Sequence, residues 1–225
     1  LTACEDLMRF VFKYPTRRRP KLFCSTLKTW RAMLSKRHQV RFVVSIDEDD
    51  TLMNSPIMHS FMGRQRDLTY YIGNSKTKVQ AVNADLDQCG DYDVLVLMSD
   101  DMIPVVKGYD DVIAQHMRRC FPNYDGVLHF DDGFNMNGLN TLPIVGKKLI
   151  DEWGYIYHPD YISEYCDNFS QLWSEHHAKS AKIARCIIKH EWTKLTGTDE
   201  TFRKNSGFSS QDRATFERHK KELLG

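Results

Sequence analysis

The 225-residue sequence has no Cys-x-x-Cys pair, no apolar run approaching the roughly 20 residues of a membrane span, and almost no surplus charge of either sign. Each absence removes a class of protein. Six cysteines lie scattered at 4, 24, 89, 120, 166 and 186. A cysteine zinc site is therefore not expected, and reduced thiols in an intracellular protein are the simplest reading. Lys and Arg number 31 against 30 Asp and Glu, a net charge of +1. A dedicated nucleic-acid binder is usually far more basic, although a local basic site stays compatible with this balance. No signal peptide is recognisable, and cytoplasm is therefore the expected location; the start at Leu1 rather than Met leaves room for a preceding segment. Internal repeats and low-complexity linkers are missing too. What remains is 41% hydrophobic and 27% charged, ordinary for a soluble globular protein and long enough for one α/β domain or two small ones.

The hydrophobic pattern alternates between strands and helices. Strands are expected at Arg9–Lys13, Arg41–Ile46, Leu68–Ile72, Val94–Met98 and Val127–Phe130. Between them, Ser25 is read as the cap of a helix carrying Leu27, Trp30, Arg31 and Leu34. Gly73-Asn74-Ser75 leads into a helix with Val79, Val82 and Leu86 on one face, and Gly108 precedes one with Val112, Ile113, His116 and Met117. This order implies a mostly parallel sheet with helices on both faces. Beyond residue 130 the pattern changes. A strand is expected at Thr141–Val145, helices at Lys147–Trp153 and Asp167–Lys179, a strand at Ile183–Glu191, and a polar amphipathic helix from Ser209 with Phe216 and Leu223. The whole reads as one continuous domain whose last third builds half of a cleft.

Chemistry concentrates at Asp100-Asp101. The five apolar residues Val94–Met98 read as a buried central strand, and the two carboxylates close its carboxyl end. Open α/β sheets bind their ligands at that end. Adjacent like charges are costly unless something positive stands between them, and a divalent cation carrying a phosphate is a common solution. A solvated Asp-rich turn is the plainer alternative. A second acidic cluster, Asp47-Glu48-Asp49-Asp50, ends the second strand, and the basic loop Thr16-Arg17-Arg18-Arg19-Pro20 follows the first.

In their order along the chain these segments resemble a nucleotide-diphospho-sugar glycosyltransferase of the GT-A fold, close to the family 2 type. The Thr16–Pro20 loop resembles that family's opening nucleotide-binding loop, Ser45–Asp50 its base-recognising acidic position, and the Lys78…Asn83 helix its next shared piece. Ser99-Asp100-Asp101 stands where the family carries an Asp-x-Asp metal motif. His158-Pro159-Asp160-Tyr161…Tyr165-Cys166-Asp167-Asn168 resembles the acceptor segment that holds the catalytic carboxylate. His190-Glu191-Trp192…Gly197-Thr198-Asp199-Glu200-Thr201-Phe202 resembles a closing segment. The likeness spans roughly residues 10–205. It departs from the family in the Ser that opens the metal motif and in Phe169, where relatives often have Glu.

The resemblance implies a GT-A, Rossmann-like sheet in a single domain over 1–225, with 1–130 as the nucleotide-sugar part and 131–225 as the acceptor side. It implies a metal-dependent transfer from a nucleotide-diphosphate sugar, most readily a UDP-sugar, to a glycan, a protein or a modified nucleic-acid base, with an Mn²⁺ or Mg²⁺ cofactor held by oxygen and imidazole donors. Asp101 and His190 are the expected metal ligands, with a histidine packed along a strand or bonded to backbone as the alternative for His190. Asp100, on the other face of the strand, is expected at ribose or a metal-bound water, with a turn cap as its structural alternative. Asp167 is the expected general base of an inverting reaction and Glu164 its substitute; N-capping is the competing role for Asp167. Asp47, Asp49, Thr16, Arg17, Arg19 and Lys78 are the expected nucleotide-sugar contacts, the arginines because guanidinium matches phosphate oxygens; a solvated acidic turn and a surface lysine are the competing readings for the aspartates and Lys78. Arg203 and Lys204 are candidates for closing over the diphosphate, and one or two of Trp153, Tyr155, Tyr157 and Tyr161 for stacking on a sugar. Three other readings compete. A sugar nucleotidyltransferase usually has a Gly-rich first loop, but no glycine lies between Phe12 and Phe23. A non-catalytic nucleotide- or glycan-binding module would be marked by loss of Asp101, Asp167 or His190. A nucleic-acid binder would use Arg17–Arg19 with Tyr14 and Phe23.

Overall fold

The computed structural model describes residues 7–133, 138–191, 200, 203 and 206–225. In chain order its elements are β1 (Arg9–Pro15), α1 (Pro20–Met33), β2 (Gln39–Asp47), α2 (Pro56–Gly63), β3 (Leu68–Gly73), α3 (Lys78–Asn83), β4 (Val94–Leu97), β5 (Met102–Pro104), α4 (Tyr109–Cys120), β6 (Val127–Asp131), β7 (Ile144–Gly146), α5 (Lys147–Trp153), α6 (Cys166–His176), β8 (Ser180–Cys186), β9 (Ile188–His190) and α7 (Ser209–Leu224). Seven strands form one sheet in the order β3-β2-β1-β4-β7-β6-β8. It is parallel except at β7, which runs antiparallel to both β4 and β6. β5 and β9 make a separate antiparallel ribbon.

The pleat sorts the core into two layers. Phe10, Phe12 and Tyr14 of β1 face one side with Phe23, Trp30, Phe42 and Tyr109. Val11 of β1 faces the other with Val43, Val79, Val82, Leu95, Leu97 and Leu149. Because helices cover both faces, β4 is buried along its whole length, which is why its sequence is an unbroken apolar run.

Local chemistry explains where the structure departs from the expected elements. α1 begins five residues before Ser25: Pro20 stands at its first turn, where its fixed φ suits the helix, and Ser25 lies inside, its hydroxyl donating to the Leu22 carbonyl. α2, not expected at all, starts at Ser55-Pro56, with the Ser55 side chain accepting from Met58 N–H. The expected strand 183–191 is two strands. β8 pairs with β6 until the register breaks at Asp131, and the chain then crosses to β5 as β9. Among the described residues no helix is long and apolar enough to cross a membrane.

Candidate functional site

A cavity of about 480 Å³ opens at the carboxyl ends of β1, β2 and β4, within the size range of small-molecule sites. Thr16, Arg17, Arg19, Asp47, Lys78, Asp100, Asp101, Glu164, Asp167 and His190 all line it. Asp49 does not. It grips Arg17 through a two-pronged ion pair at 2.6 and 2.8 Å, while Arg17 also donates to Asp47 at 2.7 Å. Asp47 in turn accepts from Ser75 N–H at 3.1 Å.

Asp100 and Asp101 diverge. Asp100 is buried and accepts from Tyr14 Oη at 2.6 Å, Thr16 Oγ1 at 3.2 Å and Arg19 Nη1 at 3.2 Å. Burial pushes its carboxyl up to about 6, against the opposing pull of Tyr14 and Arg19. The Tyr14 hydroxyl, buried beside that carboxylate, is held well above its ordinary value. Thr26 on α1 donates to the Asp100 carbonyl at 2.9 Å, and Trp30 Nε1 to that of Met102 at 2.7 Å, so α1 fixes the turn after β4. Asp101 instead accepts from the Ser99 hydroxyl and faces His190, with Oδ1 3.7 Å from Nε2.

His190 reaches this point through the β5–β9 ribbon. Met102 pairs with His190 in register, so the residue after Asp101 sits opposite the histidine. Glu191 N–H donates to the Asp101 carbonyl at 2.8 Å and His190 N–H to that of Asp132 at 2.9 Å. The other side of the imidazole meets Asp132, with Nδ1 3.8 Å from Oδ2. Burial alone lowers the imidazole pKa, but Asp101 and Asp132 overcome it and push the group up to about 9. Two carboxylates converging on one ring favour positive charge there. Two ligand atoms about 2.1 Å from one cation stand roughly 3.0 to 4.2 Å apart, and the Asp101–His190 spacing falls within that interval. The residues therefore fit a shared divalent ion, with Asp132 behind the imidazole as its outer carboxylate.

Lys78, also lining the cavity, opens α3. Packing around its ammonium works against the charge, yet Cys166, Asp167, Asp101 and Glu164 outweigh this and hold the group above the ordinary lysine value. Asp167 is the second residue of α6. The cap position belongs to Tyr165, and the Asp167 carboxylate accepts only from the neighbouring Asn168 N–H at 2.9 Å among its described bonds. Asn83 ties the backbone of Ile156 and Tyr157 to α3. Its side-chain oxygen accepts from Ile156 and Tyr157 N–H, and its amide donates to the Tyr157 carbonyl at 2.6 Å.

Of the four aromatics considered for sugar stacking, Tyr157 lines the cavity. Trp153 and Tyr155 stack on one another elsewhere, and Tyr161 is buried against Phe169 and His219. Phe169 is buried in the same cluster. Arg203 is exposed, while Lys204 and residues 192–199, 201 and 202 of the expected closing segment lie outside the described residues.

Two groups beside the cavity escaped the sequence reading. Asp132 belongs to the pair Asp131-Asp132 at the end of β6, as Asp100-Asp101 stand in the turn after β4, and this repetition was a usable signal. Lys13 stands alone in the apolar run Phe10–Tyr14, fully buried, with its ammonium on the Ser45 hydroxyl beneath the cavity. Burial lowers it to about 8 despite the charge of Asp85. Two further triads have metal-like spacing, His158–Asp160–His219 and His38–Asp110–Asp111. Arginines already pair with both, Arg218 with Asp160 and Arg37 with Asp111.

No family model matches the chain, and no curated protein does. Solved structures do. The mannosyltransferase PcManGT from Pyrobaculum calidifontis, in complex with GDP-Man and Mn²⁺, superposes with a TM-score of 0.61 at 14% identity, over 84% of this chain and 58% of that one. TarS 1-349 from S. aureus in complex with UDP gives 0.62 at 15% identity, over 81% and 60%. The same protein with UDP-GlcNAc gives 0.61 at 15%, over 96% and 70%. The chain thus spans about three fifths of the length of the first of these structures. The likeness carries the architecture: the chain has a GT-A-like fold.

Proposed function

We propose that this chain is a metal-dependent glycosyltransferase that moves a sugar from a nucleoside-diphosphate donor to an acceptor hydroxyl with inversion. The observation that carries the reading is the meeting of Asp101 and His190 at the carboxyl end of the central sheet, in a cavity that also holds Arg19, Lys78 and Asp167. GDP-Man, UDP and UDP-GlcNAc in the neighbouring structures support a nucleotide-sugar donor.

Asp101 and His190 would hold the divalent ion, which when bound offsets charge building on the departing diphosphate. Arg19 and Lys78 supply further positive charge in that cavity. Asp47 and Arg17, hydrogen-bonded to each other, present an acceptor and donors to the nucleotide base. Asp167 takes the proton from the acceptor hydroxyl as its oxygen forms the new bond to the anomeric carbon. The bond from that carbon to the phosphate oxygen breaks, and its electron pair leaves with the nucleoside diphosphate.

The test is calorimetric titration with UDP, GDP, CDP and ADP, each with Mn²⁺ and then with EDTA. Binding of one nucleotide that EDTA abolishes is expected, and no binding of any of them overturns the reading. In Asp167→Asn, nucleotide binding is expected to persist while transfer falls by about 10²- to 10⁴-fold. Undiminished transfer would make Glu164 the base.

A further inference from the structure

α7 presents a single working face to the acceptor side. Asp212, Phe216 and His219 follow at intervals of four and three, so they stack along one side of the helix. All three meet the segment from His158 to Cys166. The Asp212 side chain is fully buried. Its Oδ1 accepts from Ile162 N–H at 2.8 Å, and its Oδ2 from Ser163 and Glu164 N–H, both at 2.8 Å. Phe216 packs on Tyr165 with ring centroids 5.7 Å apart. His219 contacts the Tyr161 hydroxyl at 3.2 Å through Nδ1 and the Asp160 carboxylate at 3.0 Å through Nε2.

Three successive N–H groups aimed at one point form a concavity of the kind that binds anions. Here the chain fills it with its own carboxylate. The curl is what the cavity needs. Ser163 and Glu164 line it, Tyr165 turns the chain with a left-handed backbone at φ 59, and Asp167 follows two residues later at the start of α6. A tyrosine seldom takes that conformation without support. From the other side, Val79 N–H donates to the Ile162 carbonyl at 3.1 Å, which ties the segment to α3 next to Lys78. Burying a carboxylate is costly unless it is hydrogen-bonded, and these three N–H groups are what satisfies Asp212.

We propose that Asp212 is a positioning residue for the transfer step: by holding the backbone of Ile162–Glu164 it sets where Glu164 and Asp167 stand in the cavity. This rests on the transferase reading given above. Asp212→Asn keeps the size of the side chain but replaces one accepting oxygen with an amide that cannot accept from these N–H groups.

The experiment compares wild type and Asp212→Asn by three readouts on the full chain. These are amide hydrogen exchange at 162–164, calorimetric binding of UDP and GDP with Mn²⁺, and hydrolysis of UDP-glucose, UDP-GlcNAc and GDP-mannose read as nucleoside diphosphate release. The expected variant exchanges these amides at least tenfold faster, binds nucleotide within threefold of wild type, and loses at least tenfold in kcat with donor KM unchanged. Unchanged kcat in a folded variant overturns the proposal and leaves the transferase reading intact. Loss of nucleotide binding together with kcat also overturns it, since the effect is then general damage. A wild type that binds neither nucleotide and hydrolyses none of the donors overturns the transferase reading and this one with it. If Asp212→Asn does not fold, Phe216→Ala loosens the same contact while keeping the carboxylate. A lower kcat at unchanged nucleotide affinity is then expected, and an unchanged kcat overturns the proposal.

Discussion

Replacing Lys13 with methionine tests the electrostatics under the cavity. Lys13 is fully buried in β1, and its ammonium has the Ser45 hydroxyl as its described partner. Burial holds its pKa at about 8, against 10.5 for a free lysine. That gap corresponds to about 3 kcal/mol of penalty for carrying the proton in the fold at pH 7. Between about pH 8 and 10.5 the unfolded chain binds the proton and the folded chain does not, so this group makes stability rise with pH across that window. At pH 10 about 2 kcal/mol of the penalty has gone. Lys13→Met preserves volume and removes the charge, at a loss of about 1 kcal/mol for the hydrogen bond to Ser45. Ser45 still donates to Asp85. The variant should therefore be about 2 kcal/mol more stable than wild type at pH 7 and nearly equal to it at pH 10. Urea unfolding at the two pH values, followed by the fluorescence of the chain's tryptophans, reads the difference. The same advantage at both values, or a loss at pH 7, would refute the reasoning.

Asp101→Ala should stay folded and bind nucleoside diphosphate equally with Mn²⁺ or EDTA; a retained Mn²⁺ effect in calorimetry would remove Asp101 from the ligand set. Asp132→Asn leaves the Asp101–His190 pair in place but weakens the outer carboxylate behind the imidazole. Mn²⁺ affinity, measured by titration without nucleotide, should fall by about 10- to 100-fold, and unchanged affinity would leave Asp132 a structural partner of Thr141, whose hydroxyl it already accepts at 2.6 Å.

The parallel half of the fold was legible because its strands are covered on both faces. β4 can only be an apolar run, and the apolar stretches at β1, β2 and β6 announce themselves the same way. α5 was readable to the residue. Short pieces held by distant partners were not. β5 and β9 are three residues each and exist because they pair with one another, not because either has a strand pattern of its own. α2 is short and rich in methionine, and its Ser-Pro start was the one available signal. The site divides in the same way. Residues at strand ends were placed through the resemblance, since topology alone puts them at one edge. Asp212 was not, because a buried aspartate on a polar helix reads like any solvated one. Its role depends on three amides fifty residues away.

Adjacent carboxylates at the end of β4 were expected to part because a strand alternates its faces. They do part, but for a different reason. β4 ends at Leu97, so Asp100 and Asp101 stand in the turn beyond it and no pleat separates them. Their partners do. Tyr14, Thr16 and Arg19 come from the end of β1 and the loop after it and take up Asp100. His190 arrives on β9 and faces Asp101. One carboxylate therefore anchors the basic loop that leaves β1, and the other meets a ribbon returning from the far end of the chain. In the proposed reaction this divides the work. Asp100 holds Arg19 where a diphosphate can meet it, and Asp101 shares the cation with His190. The raised pKa of Asp100 follows from that division: its charge is needed to hold Arg19, yet the pocket that receives it is too dry to hold the charge cheaply.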